Sequence, residues 1–222
     1  MYAINHAATS LLLKKKEQPI PILPLLISTQ LIEVFWVLFN YLGIEHYSIE
    51  AGKLHLDFLP YSHSVFSTGL VALLSYVSIR WVFKNKRLAF LFAAGVISHL
   101  ILDITFHEKD IRLSPFSDTP SWGVGIIDFP IVNFILEFMY GVFCWWYYKG
   151  SKKLLIVIIV FNILDLPVML ASGSALNILK EHPFLLPTFI LFQILITWYF
   201  IWRYSVAPKQ VQLSQSKTTI AA

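Results

Sequence analysis

Six long apolar runs, separated by charged or Pro/Gly-marked connections, dominate this chain: Leu25 to Ile44, Ser62 to Phe83, Leu88 to about Phe106, Phe129 to Tyr148, Leu154 to about Leu170, and Phe184 to Tyr204. Each is close to the ~20 residues a helix needs to cross a bilayer. The pattern predicts an all-α fold, a polytopic transmembrane helix bundle of six long spans in one domain, residues 1–204. A further apolar segment, Tyr2 to Leu13, is too short to span and reads as an interfacial or half-inserted helix. Pro-broken turns between Pro19 and Pro24 precede the first long run, and Pro60 closes a polar stretch from Glu45 to Tyr61. Ser62 fits the N-cap of the run that follows. The connection from His107 to Ile127, marked by Pro115, Pro120, Gly123 and Gly125, reads as irregular backbone. Residues 205–222 are polar and read as a disordered tail.

Charge orients the bundle. Lys14 to Lys16, Arg80, Lys84 to Arg87, Lys149 to Lys153 and the Arg203/Lys209/Lys217 end hold thirteen of the seventeen Lys and Arg residues, which places those regions in the cytoplasm. The alternate loops hold most of the acids, among them Glu45, Asp57, Glu108, Asp110 and Asp128, and are expected on the external side. Composition agrees with a membrane class: of 222 residues, 57% are hydrophobic and 14% charged, with a mean hydropathy of +0.66, which a soluble globular domain does not show. The basic pI near 9.1 follows from this topological bias, so no nucleic-acid partner is expected. A single cysteine, Cys144, excludes an internal disulfide. Residues 1–13 carry no basic leader and no small-residue cleavage site, so no cleavable signal peptide is read there.

The apolar pattern is broken most sharply in SHLILDITFHEKD, Ser98 to Asp110, where His99, Asp103 and His107 recur at four-residue steps. On a helix they share one face, each about 6 Å above the last. Side chains so placed can chelate one divalent cation, and a His/carboxylate mixture suits zinc, with manganese or iron as alternatives. The competing reading is an interhelical hydrogen-bond cluster. Ionisable groups at membrane depth are costly and usually functional. In DFLPYSHS, Ser62, His63 and Ser64 begin a helix, where free N–H groups and the positive dipole end favour an anion such as phosphate. An ordinary Ser-capped helix start explains the same residues. Glu33, Asp103, Glu137 and Asp165 lie within apolar runs and need partners in the bundle. Glu33 and Glu137 are candidates for a further ligand or a general base, with Ser64 as a third catalytic candidate. Asp165, beside Asn162 and Pro167, also fits a kinked-helix bridge, and His55 and His182 read as exposed loop histidines.

Five blocks together carry a resemblance: NHAATS (Asn5 to Ser10), QLIEVFWVLFNYLGIEH (Gln30 to His46), LDFLPYSHS (Leu56 to Ser64), SHLILDITFHEKD and ILEF (Ile135 to Phe138). From the N-terminus to about Tyr148 the chain resembles the membrane-bound metal-dependent hydrolases of bacterial inner membranes. The resemblance implies a divalent metal held by His6, His63, His99 and Asp103, with an acid at Glu33 and His107 matching the members that carry the GIEH block. That family is similar to the soluble zinc phospholipase C and single-strand nuclease group, which implies a lipid-linked or small phosphoester substrate at the bilayer. Two other classes use the same residues: a divalent-cation or proton transporter, and a non-catalytic membrane scaffold. Haem ligation is disfavoured by the acids that crowd the histidines. Residues Lys149 to Ala222 lie outside the resemblance.

Overall fold

The computed structural model describes residues 2–16, 19–50, 53–169 and 174–205; the polar tail expected beyond Tyr204 lies outside them from 206 onward. The chain is mostly helical. In order come α1 (Ala3–Lys16), α2 (Ile22–Tyr41), a hairpin of β1 (His46–Glu50) and β2 (Lys53–Phe58), the single turn α3 (Pro60–His63), α4 (Val65–Val82), α5 (Lys86–Phe106), a second hairpin of β3 (Ile111–Ser114) and β4 (Ser117–Trp122), α6 (Pro130–Tyr148), α7 (Lys152–Met169), α8 (Ser174–Glu181) and α9 (Leu185–Ser205). A 3-10 turn, Ile126–Asp128, leads into α6.

Four described helices, α2, α4, α5 and α9, are long and apolar enough to cross a membrane. Helices α6 and α7 match them in length, but α6 carries Asn133, Glu137 and a Trp145–Tyr148 aromatic run, and α7 opens on two lysines and contains Asp165. Length and composition therefore give four spans where six runs were expected. The outer face of α4 is apolar and uncovered, with Leu73, Leu74 and Trp81 all exposed, a surface suited to lipid rather than water.

The short first helix departs from expectation. Instead of lying at an interface, α1 runs through the centre of the bundle and packs on α2, α5, α6, α7 and α9. Ile4, Ala7, Ala8 and Leu11 are fully buried together with Asn5 and Ser10, so apolar and polar faces alike are covered by other helices. The small residues allow it: Gly141 of α6 comes so close to Asn5 that a Cβ there would lie 2.6 Å from Asn5 Oδ1. Helix α2 begins earlier than expected, at Ile22, and absorbs Pro24 into its first turn, where the missing N–H has no helical partner to lose.

Both connections read as polar or irregular are antiparallel hairpins. In the first, His46 pairs with Phe58 and Ile49 with Leu54; in the second, Ile111 pairs with Trp122 and Ser114 with Ser117. The start of α4 also differs in detail. Ser64, not Ser62, caps it by accepting from Ser67 N–H at 3.2 Å, and Pro60–His63 form the separate turn α3.

Helices α2 and α5 meet at Gly95, where an added Cβ would fall 2.0 Å from Ser28 Oγ and 2.8 Å from Ser28 Cβ. Small residues at such a crossing let two helix backbones approach closely. Thr29 follows Ser28 directly, and Glu33 of α2 and His99 of α5 stand about one turn above this contact, so the crossing sets the spacing of these groups. Gly95→Ala is expected to push the two helices apart, lowering stability by about 1–3 kcal/mol. Thermal unfolding in detergent checks this, and an unchanged midpoint would show that Ser28 alone yields.

Candidate metal centre

Four helical elements deliver ionisable groups to one buried point. Helix α1 supplies His6, α2 Glu33, α3 His63, and α5 supplies His99 and Asp103, with His107 at its C-terminal cap. All but Glu33 are at least nine-tenths buried, and Glu33 is about one-fifth exposed at its side chain. The i, i+4 stripe of α5 forms as the spacing predicts. Asp103 is its hub: Oδ2 lies 3.0 Å from His99 Nε2 and 3.6 Å from His63 Nε2, and Oδ1 lies 3.2 Å from His6 Nε2 and 3.7 Å from His107 Nε2. Glu33 Oε2 completes one side at 3.4 Å from His63 Nε2 and 3.5 Å from His99 Nε2.

The hydrogen-bond network assigns which nitrogen of three histidines carries the proton. His99 Nδ1–H donates to the Thr29 carbonyl at 2.9 Å, and its Nε2, fully buried, has no hydrogen bond of its own. Nε2 thus faces the carboxylate oxygens of Asp103 and Glu33 at 3.0 and 3.5 Å. A positive charge holds these groups together, either a proton on Nε2 or a cation between them. His107 Nδ1–H donates to Asp110 Oδ2 at 3.3 Å, which again leaves Nε2 for the cluster. Backbone contacts hold this end of α5 in place. Gly125 N–H donates to the His107 carbonyl at 2.7 Å and Val124 N–H to Ile104 at 2.9 Å. Gly123 passes so near that a Cβ would lie 1.7 Å from the Glu108 carbonyl oxygen.

His63 is positioned by a residue whose role the sequence did not reveal. Glu45, between α2 and the first hairpin, is buried and accepts Ser62 O–H at 2.6 Å, Tyr61 N–H at 2.7 Å and Ser62 N–H at 2.8 Å. With its proton given to Glu45, Ser62 Oγ is left to accept from His63 Nδ1–H at 2.7 Å. A carboxylate–hydroxyl–imidazole chain therefore turns His63 Nε2 toward the cluster. Burial pushes the Glu45 carboxyl up from its ordinary range, against the hydrogen bonds from Ser62 and Tyr61 that pull it down.

The geometry suits a cation. Ligands about 2.1 Å from a tetrahedral ion stand roughly 3.4 Å from one another. Four of the six separations among His63, His99, Glu33 and Asp103 Oδ2, those between a ring nitrogen and a carboxylate oxygen, run from 3.0 to 3.6 Å. A buried His/Asp/Glu group able to hold a metal ion is therefore present. A cavity of about 130 Å³ opens onto Glu33 and His6 and is walled by Leu54, Leu186, Phe189 and Ile190, with Asp165 and Gln193 at its polar margin.

Other expected groups fall elsewhere. The Ser64 hydroxyl is occupied at the α4 cap by Ser67 and does not join the cluster. Glu137 belongs to a separate network: Tyr2 N–H and Asn5 Nδ2 donate to Oε2 at 2.7 and 3.0 Å, and Asn133 Nδ2 donates to Oε1 at 3.0 Å. Asp165 accepts from Gln193 of α9, which ties α7 to α9. His46 is exposed and stacks on Phe58 at 5.0 Å, His55 lies 3.9 Å from Glu108, and His182 is exposed. Comparison with known families, curated proteins and solved structures finds no match for this chain.

The Glu45 chain generates a test. In Glu45→Gln the new amide can donate to Ser62, whose hydroxyl then turns to His63 Nδ1 and forces the ring proton onto Nε2. Metal affinity is expected to fall 10–100-fold, as when comparable supporting partners are lost, with the fold retained. Calorimetric titration of metal-stripped protein with Zn(II) reads this, and an affinity equal to wild type would remove Glu45 from the site.

Proposed function

We propose that this chain is an integral-membrane, metal-dependent hydrolase acting on a membrane-accessible phosphoester. The observation that carries the reading is the convergence of His63, His99, Glu33 and Asp103 on one buried point at ligand-to-ligand separations. The resemblance of the NHAATS, PYSHS and SHLILD blocks to the membrane-bound hydrolases of bacterial inner membranes supports the same reading. The distribution of Lys and Arg supports an orientation in a cell membrane with the tail cytoplasmic and the centre near the external face, and α6 and α7, which match the four apolar helices in length, would complete six spans.

Zinc is the favoured ion, because two imidazoles and two carboxylates are among its ordinary donors; manganese and iron share them. Such an ion supplies charge neutralisation for phosphoryl oxygens and a water acidified toward neutral pH. The chain's own residues do the rest. The Thr29 carbonyl and the Glu45–Ser62 pair hold His99 and His63 with Nε2 facing inward. Glu33 reaches the cavity and can accept a proton from a water entering there. The apolar walls exclude bulk water, which strengthens every charge interaction at that point. The cavity is small against the 300–1,000 Å³ of a typical ligand pocket. It fits a headgroup-sized fragment, and the remainder of the substrate would stay in the bilayer.

Elemental analysis of detergent-purified protein, freed of any affinity tag and of adventitious metal, tests this. Wild type is expected to retain zinc, manganese or iron near stoichiometrically, and Asp103→Ala and His99→Ala to lose it while keeping the helical circular-dichroism spectrum. Loaded wild type should hydrolyse bis(p-nitrophenyl) phosphate, and the variants should be at least 100-fold slower. Full metal retention in both variants would overturn the assignment.

A further inference from the structure

The cavity beside the centre is lined by two separate polar groups. Glu33 and His6 belong to the buried cluster, whereas Asp165 of α7 and Gln193 of α9 are hydrogen-bonded to each other. Most of the remaining wall is apolar. Taken as a sphere, 130 Å³ is about 6 Å across, so one short molecule can reach both groups. Metal chemistry uses only the first of them.

Asp165 is 3% exposed and is satisfied on one side alone. Its Oδ1 accepts from Gln193 Nε2, and among the described residues Oδ2 has no hydrogen-bond partner and no Lys, Arg or His side chain in ion-pair contact. Glu137, buried to a similar depth, shows the contrast, since it receives three N–H donors from Tyr2, Asn5 and Asn133. The bundle thus satisfies Glu137 from within and leaves half of Asp165 open at a cavity wall. A buried carboxylate oxygen without a donor is costly, and a ligand that supplies the donor recovers that cost.

The chemistry of such a ligand follows from what this group lacks. Gln193 has its Nε2 engaged by Asp165, so its amide oxygen and Asp165 Oδ2 are what the pair offers, and both are acceptors. Glu137 is near enough to act on Asp165 electrostatically, which makes the field there more negative still. A phosphoryl group is repelled from this wall, and a cationic N–H donor is favoured, because charge-assisted hydrogen bonds are roughly twice as strong as neutral ones. We infer that Asp165 and Gln193 form a subsite for the ammonium end of an aminoalkyl headgroup on a membrane phosphoester, whose phosphoryl group lies toward Glu33 and His6. The inference rests on the metal-hydrolase reading for the position of the phosphoryl group and adds the class of substrate. An aminoethyl phosphate carries opposite charges at its two ends, as the two polar groups of the cavity require.

Binding tests the inference separately from the reading beneath it. Zn(II)-loaded full-length protein in detergent is titrated calorimetrically with 3-aminopropylphosphonate, butylphosphonate and 3-hydroxypropylphosphonate, which share one chain length and resist hydrolysis. Wild type is expected to bind the amine about 10–100-fold more tightly than the butyl compound, a comparison that needs no variant. Asp165→Asn keeps an acceptor for Gln193 and removes the charge. It is expected to lose the preference for the amine while binding butylphosphonate as wild type does. Equal affinities for these two compounds in wild type, or an undiminished preference in the variant, would overturn the inference. Binding of the hydroxyl compound as tight as that of the amine would also sink it, by assigning this wall to a neutral polyol. If none of the three binds loaded wild type, the phosphoester reading itself falls.

Discussion

The bundle depends on holding His99 Nε2 buried and aimed at two carboxylates. Its partner nitrogen donates to the Thr29 carbonyl, which fixes the ring so that Nε2 meets Asp103 and Glu33 as an imidazolium donor or as a ligand to a cation. Burying two carboxylates costs several kcal/mol each unless positive charge and hydrogen bonds compensate. Everything around the point acts to prevent relaxation. The Gly95–Ser28 crossing holds α2 against α5, the Gly123–Gly125 segment closes over the end of α5, and Gln30 of α2 donates to the Ala3 carbonyl at 2.9 Å to fix α1 beside both.

This constraint explains why a fourteen-residue helix occupies the middle of the protein. His6 can stack on His99 only if α1 lies against α5, and α1 is accepted there because Ala7, Ala8 and Ser10 are small and Asn5 finds donors and acceptors in its neighbours. Asn5 and Asn162 of α7 exchange hydrogen bonds at 2.9 and 3.3 Å, and Thr9 bonds the Tyr140 hydroxyl of α6 at 2.8 Å. The polar residues of α1 are thus its attachment points to three other helices, and His6 is one of them.

Local periodicity made part of this legible in the sequence. His99, Asp103 and His107 share a face because 3.6 residues make a turn, and no tertiary knowledge is needed to place them together. His6, Glu33 and His63 come from three other elements, and the family resemblance, not spacing, grouped them. Glu45 was not legible as a supporting residue: it reads as a loop acid, and only the turn at Pro60 brings Ser62 back to it. Ser62 and Ser64 exchanged roles for the same reason, since either serine satisfies the capping preference and a single intervening turn decides between them. The hairpins were missed because their alternating pattern is short, and Pro115, Pro120 and the glycines outweighed it in the reading of the second. The central position of α1 could not be read from its length, because burial of a short helix depends on what covers it.

Glu137 provides an internal contrast for judging whether the cluster is only a packing device. Buried on α6 as deeply as Asp103 is on α5, it shows how this bundle accommodates a structural carboxylate. Its oxygens receive N–H donors from Tyr2, Asn5 and Asn133, at hydrogen-bonding distance. Asp103 is treated differently, with four imidazoles turned toward its two oxygens and three of those rings held from behind by Thr29, Ser62 and Asp110. A carboxylate that is only packed is satisfied by fixed amide and backbone donors, as Glu137 is. Asp103 instead meets four ring nitrogens whose affinity is for positive charge, protons or a metal ion, and three of those rings are held in register for it.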